Sequence, residues 1–309
     1  MRKIFFTAIT LLMVIFALSE TENLRVVKDL NVTEPIDEEI LQQKPANWWE
    51  TNILTAEGHG IAPKSEEITM RTKALAKRAA MMDAQRNLAE QVANIHVTAE
   101  KTLVKTQVDA VIQFFTVVSE EYDEFGNCTV VLSVPVFGVT DSIAQFAFPH
   151  VDKQNFPPPT TKNVKADGNY TGLIIDCGDF ELNPVLSPEI RNENRTIYAY
   201  NNLEREKLLA NGVVGYVAKD SDDDLIFVKT SGGKNVFAQV GSEILVAEND
   251  SRAGNNPLVV KVSDLSDDGT CPVISNDDAD KILAENQISH FLDDGNVVFQ
   301  SNRIRGMRM

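Results

Sequence analysis

Residues 65–98 read SEEITMRTKALAKRAAMMDAQRNLAEQVANIHVT, and residues 116–136 read TVVSEEYDEFGNCTVVLSVPV. The first stretch predicts one long helix. Ser65 is a good N-cap, and Glu66 and Glu67 in the first turn suit the positive end of the helix dipole. Apolar residues recur at seven-residue spacing, with Ile68, Leu75, Met82 and Ala89 on one line and Ala74, Met81, Leu88 and Ile95 on the next. Together they are expected to form the buried stripe, with Arg71, Lys77, Arg78 and Arg86 off it. Alanines are dense here (Ala76, Ala79, Ala80, Ala84, Ala93), so this helix can lie close against a sheet. The second stretch predicts a hairpin. Cys128, Val130, Leu132, Val134 and Val136 alternate with Thr129, Val131 and Ser133, while Thr116–Tyr122 pairs across a loop containing Gly126. Pro135 and Gly138 end the second strand or place it at a sheet edge.

Working outward, residues 95–98 form a short strand, and 101–114 is either a second helix or an extended segment. Trp48 and Trp49 are the only tryptophans in the chain, and core packing is their expected fate. A linker is expected over 151–168, where Pro157, Pro158 and Pro159 stand together. It separates a first domain, 47–150, from a second, 169–309. The second opens with an apolar strand, Tyr170–Cys177, that can be buried on both faces. Further strands are expected at 197–200, 213–217, 225–229, 235–240, 243–246, 258–262 and 297–300. Short helices are expected over 204–210, stopped by Gly212, and from Asp277 or Asp278 to Asn286. This half therefore reads as mixed α+β with strands outnumbering helices.

At the other end, Arg2 and Lys3 precede the apolar run Ile4–Leu18, and Ala17 and Ser19 are small. Residues 1–19 thus read as a secretory signal peptide. The run is short of the roughly 20 apolar residues that span a bilayer. The remainder is expected to be exported and soluble, or at most peripheral to a membrane. Residues 20–46 read as an extended acidic lead-in. The net charge of -16 disfavours nucleic acid as a partner and adhesion to anionic lipid by charge alone. At 43% apolar and 24% charged residues, the composition excludes rods and wholesale disorder. Cys128, Cys177 and Cys271 are too dispersed for a zinc or redox motif. Either two of them pair in an oxidising compartment or all three act as small buried hydrophobes.

Gly58-x-Gly60-x-x-Pro63, followed by Ala79-Ala80-x-x-Asp83-Ala84-x-Arg86-Asn87-Leu88-Ala89-Glu90, resembles a bacterial envelope family. That family joins the twenty-kilodalton outer-membrane lipoprotein to the N-terminal domain of flagellar assembly protein T. The segment Thr171–Asp176, leading to Ser187-Pro188 and Ile197-Tyr198, is similar to segments that follow this domain in secreted relatives. The resemblance implies a small α+β domain with a long helix packed on an antiparallel sheet. It also implies residence in the periplasm or outer envelope of a two-membrane bacterium, and a role in assembly or surface structure rather than catalysis. The lipid-bearing cysteine of the lipoproteins is absent. Read from the residues alone, the two glycines permit close backbone approach, and Asp83 and Arg86, three apart on one helix, can pair.

No catalytic, cofactor-binding or metal-ligating set emerges. Gly58-x-Gly60 lacks the third glycine of a dinucleotide loop. His59, His96, His150 and His290 have no ligand spacing. No serine or cysteine sits in a nucleophile elbow. Asp220, Asp222, Asp223 and Asp224 place carboxylates as a calcium loop would, without its glycine or distal glutamate, and a solvated turn fits them as well. Asp277, Asp278 and Asp280 read as helix-start charges. Two functions follow as expectations: a non-catalytic envelope protein working through contacts with envelope or surface-structure proteins, or a secreted small-ligand or cation-binding protein using its second half.

Overall fold

The computed structural model describes residues 48–64, 67–161, 164–218 and 252–305, with the backbone alone of short strands between 228 and 245. The signal-like stretch, the acidic lead-in, Ser65, Glu66 and the Asp220–Asp224 cluster lie outside the described residues.

The first half contains α1 (Trp48–Thr51), β1 (Ile53–Gly60), α2 (Met70–Ala93), β2 (His96–Thr98), β3 (Lys101–Thr102), α3 (Lys105–Val111), β4 (Thr116–Tyr122), β5 (Cys128–Pro135) and α4 (Ile143–Ala147). Residues 101–114, open between two readings in the sequence, thus hold a two-residue strand and a short helix. Strands β1, β5 and β4 form an antiparallel sheet in that order, and α2 packs on one face. The hairpin forms as its alternation predicts. Gly126 takes φ 79°, and the Asp123 carboxylate accepts from the backbone N–H groups of Phe125 and Asn127.

Helix α2 departs from the sequence expectation in two ways. It starts at Met70, capped by Thr69, whose side chain exchanges hydrogen bonds with Thr72, so no acidic residue occupies its first turn. Its buried row is Ala76, Ala80, Ala84, Leu88 and Val92, spaced by four. The expected line is turned outward instead: Ile68, Leu75 and Met82 are exposed, Met82 by 63%. The cause is the strand beneath. A Cβ on Gly58 would overlap Ala84 N and Ala80 O, and one on Gly60 would overlap Ala76 O. The helix backbone lies directly on the strand backbone, and only alanine fits in that gap.

The second half contains β6 (Gly172–Asp176), β7 (Glu181–Leu182), β8 (Ile190–Asn192), β9 (Thr196–Tyr198), α5 (Arg205–Asn211), β10 (Gly215–Ala218), β11 (Val228–Thr230), β12 (Lys234–Val236), β13 (Ala238–Val240), β14 (Glu243–Leu245), β15 (Pro257–Lys261), β16 (Asp264–Leu265), β17 (Pro272–Ile274), α6 (Asn276–Ser289), β18 (Val297–Ser301) and β19 (Arg303–Ile304). Its centre is a four-stranded sheet, β10-β18-β6-β15, with every pairing parallel. Strand β6 is covered on both faces, as its apolar run requires. A second sheet, β16-β17-β8-β9, is mixed. Helix α6 is capped by Ser275 rather than by Asp277 or Asp278, which instead lie in its first turn.

The segment expected as a linker is irregular and closely fastened. Phe156 stacks on Tyr198 at 6.3 Å. The Asp280 carboxylate accepts from Thr160 N–H and O–H and from Thr161 N–H, at 2.6–2.9 Å. The Glu285 carboxylate accepts from Asp167 N–H and Gly168 N–H. Asp280 is thus a buried clamp and not a helix-start charge. Burial disfavours its charged form, but these donors outweigh that and hold its pKa at about 2.

Residues 46–309 form one compact unit. Buried residues before and after the expected boundary belong to the same apolar cluster. Trp49 is buried, and Trp48 lies against Phe137 and Tyr216. Gly138 N–H donates to Leu209 O at 2.7 Å, and Leu186 and Ser187 N–H donate to the carbonyls of β2.

Candidate functional site

Two regions carry features beyond packing. The first lies where parallel strands β6 and β15 end. Open α/β sheets bind ligands at such carboxyl ends. Asp176–Phe180, following β6, and Lys261 and Val262, ending β15, line a crevice of about 380 Å³. Its polar groups are largely committed to the protein itself. Asp176 accepts from Gly178 N–H at 3.0 Å, and Asp179 accepts from the Asn302 amide at 2.8 Å. Burial, reinforced by the nearby Asp176 charge, pushes the Cys177 thiol up to about 12, so it stays protonated. Lys261 and Phe180 remain exposed. Beyond Phe180 a neighbouring hollow of about 370 Å³ is lined by Glu181, Asp264, Asp268 and Arg305. Burial opposes the Asp268 charge, but the Ser266 and Thr270 hydroxyls and Thr270 N–H hold its pKa low. That carboxylate closes its own turn.

The second region is the outer side of the three-stranded sheet, whose two edges are treated differently. On the β1 edge, α2 supplies three side chains at four-residue spacing. Asp83 accepts from His59 N–H at 3.1 Å, Asn87 donates to Glu57 O at 2.8 Å, and Gln91 donates to Thr55 O at 2.9 Å. These are three of the backbone groups that β1 turns away from β5, so α2 covers much of this edge. Arg86 fixes Asp83 from the solvent side at 2.6 Å. The expected Asp83–Arg86 pair therefore forms.

On the β4 edge, among the described residues, no side chain bonds to the backbone of 116–122. The alternation of an antiparallel ladder follows from the β1 side. Thr129 and Val131 face β4, so their partners Glu121 and Ser119 bond inward, and Glu120 and Tyr122 turn their N–H and C=O outward. Lys77 holds the Glu120 carboxylate at 2.6 Å, and Tyr122 O–H donates to it, which keeps Glu120 ionised. Glu121 is exposed. Near the hairpin turn, Ile61, Ile68 and Phe125 line a groove of about 360 Å³, with Ile61 81% and Phe125 68% exposed.

The remaining sequence candidates do not converge. His59 contacts Glu57 and Thr129 on the sheet surface, and His290 ends α6 in a left-handed conformation at φ 56°. Among the described residues no group of three or more His, Cys, Asp or Glu side chains is placed to hold a metal ion. Cys128, Cys177 and Cys271 are all free thiols. Sequence reasoning missed the open edge, because openness depends on which outer strand the helix covers. The i, i+4, i+8 spacing of Asp83, Asn87 and Gln91 was the signal available.

Fold and surface together define an α+β protein with a helix-covered antiparallel sheet, whose β4 backbone takes no side-chain bond among the described residues, and a central parallel sheet. Residues 172–302, less than half of the chain, match a family model described as the second domain of Treponema pallidum Tp0624. The match runs from β6 through β18 and so spans the parallel sheet. No curated protein matches the chain. Among the described residues, no helix is long and apolar enough to cross a membrane.

Proposed function

We propose that this is an exported, non-catalytic protein of a bacterial envelope that works through protein contacts, in assembly of a surface structure of the flagellar kind. The observation that carries the reading is the open β4 edge beside an exposed apolar groove, on a sheet whose other edge is covered in large part by α2. Three further features support it. Residues 1–19 have the pattern of a secretory signal, and Gly58–Pro63 with Ala79–Glu90 resemble the envelope family described above. Residues 172–302 are similar to a domain of another bacterial protein. In-cell cross-linking of the tagged protein, with mass spectrometry of the adducts, tests it. Repeated capture of one envelope or basal-body protein through residues 61–68 or 116–125 is the expected result. Capture of nothing but the protein itself overturns it.

A second reading is favoured by the crevice at the carboxyl ends of β6 and β15: binding of a small ligand against Phe180 and Lys261. A ligand found by thermal screening must raise the melting temperature, because binding stabilises the native state. Phe180→Ala with Lys261→Glu must abolish the rise. A rise that survives both changes places the ligand elsewhere and ends this reading.

A further inference from the structure

The geometry points to β4 as an acceptor for an extended, basic segment of a partner protein, added as a fourth strand; this rests on the reading that the protein works through protein contacts. An exposed strand edge is a template for strand addition, and proteins close such edges where pairing is unwanted. Here α2 bonds the β1 edge through Asp83, Asn87 and Gln91. On β4 it reaches the Glu120 and Tyr122 side chains through Lys77 and Lys73, and, among the described residues, no side chain bonds to the strand's backbone. The β4–β5 ladder shifts register between Val117 and Ser119, so the regular part of the edge is Ser119–Tyr122. It offers the N–H and C=O of Glu120 and Tyr122.

Charge selects the occupant. Glu121 on the edge strand and Glu124 in the adjoining turn are exposed, while Glu120 is already held by Lys77 and Lys73 lies over the Tyr122 ring; the whole chain carries a net charge of -16. A second copy of this chain meets like charge there, which disfavours pairing of β4 with itself. Lysine or arginine on the added strand meets opposite charge. At the start of the strand the character changes: Val117 and Phe114 are exposed and apolar. The segment that fits is therefore extended, apolar where it passes Val117, and basic where it passes Glu121 and the turn at Glu124.

Amide hydrogen exchange with a synthetic probe tests this. The probe is a ten-residue peptide of alternating valine and lysine, compared with the same peptide carrying glutamate for lysine. The lysine peptide is expected to slow exchange over 116–122 by roughly threefold or more, in the range that local protection reports. The effect is expected to fade at high salt, where exposed charges are screened. Glu121→Lys, an exposed change, is expected to lose the protection while keeping the melting temperature. Equal protection by both peptides, protection confined to other segments, no protection, or retention in Glu121→Lys overturns the assignment. So does a dimer in peptide-free solution that protects 116–122. Peptide protection without any cross-linked partner in cells overturns the functional reading and leaves the edge assignment standing. Cross-linking through 61–68 without peptide protection does the reverse.

Discussion

At Gly58 and Gly60 the side chain is a single hydrogen because the helix backbone occupies the space. Gly58→Ala is expected to destabilise by at least about 1–3 kcal/mol, the usual range for forced overpacking. Ala84, fully buried on the opposing helix, is as unforgiving. Ala84→Asp places a charge where no partner exists and is expected to cost roughly 3 kcal/mol or more. Urea unfolding checks both, and a midpoint within error of wild type would refute the close contact. Arg252 shows the opposite case, a buried charge that is kept. Its guanidinium donates to Gly295 O at 2.8 Å and Gly212 O at 2.9 Å, and also to Asn211 O. Burial, only partly offset by Tyr198 and Tyr216 close by, lowers its pKa to about 10 and leaves it charged at neutral pH. Arg252→Met would strand the Asn211 and Gly212 carbonyls at the end of α5, while Gly295 O keeps the Val297 N–H. A loss of roughly 2 kcal/mol or more is expected, at about 1–3 kcal/mol for each buried acceptor left without a donor.

Among the elements, α6 and the segment docked on it carry the clearest pH prediction. The folded pKa of Asp280 lies below its unfolded value. Its contribution is therefore fully present above about pH 4 and is lost as pH falls from there toward 2. The melting temperature should drop over that window, and Asp280→Asn should start lower at pH 6 and fall less steeply. Parallel pH curves for the two proteins would refute the clamp. The elements also show what sequence patterning could convey. Alternation from Cys128 to Val136 with a glycine at 126 describes the hairpin almost residue by residue, because one face is wet and the other dry. The presence of α2 was legible, but its face was not. Large apolar residues usually mark the buried side, whereas here the partner is glycine, so Ala76, Ala80 and Ala84 go in and Leu75 and Met82 stay out. Asp280 looked like a dipole charge because its partners lie 120 residues earlier in the chain, beyond any local pattern. The parallel pairing of β6, β15 and β18 was hidden for the same reason. The candidate edge was invisible for another, since Thr116–Tyr122 reads alike whether or not a helix covers it.

For the whole molecule, the expected division near residues 150–168 and the continuous core lead to different melting behaviour. The ring of Phe137 sits where a side chain on Gly212 would be, Phe148 lies against Tyr200, and Arg205 donates to Gln145 O, Phe148 O and Pro149 O. Removing either half would expose this surface. A single calorimetric transition for residues 46–309 is expected. Two separated transitions would show that 47–150 folds as its own domain.

Strand order has a consequence in time. β18 lies between β10 and β6, yet it is made after both. The Thr160 and Gly168 contacts likewise wait for α6. Until residues 297–301 have left the ribosome, the middle of the parallel sheet has an empty slot, and no earlier strand can fill it. Under the export proposed above, such a delay would matter: a chain whose core cannot lock before residues 297–301 emerge would reach a translocation channel as a thread and fold on the far side.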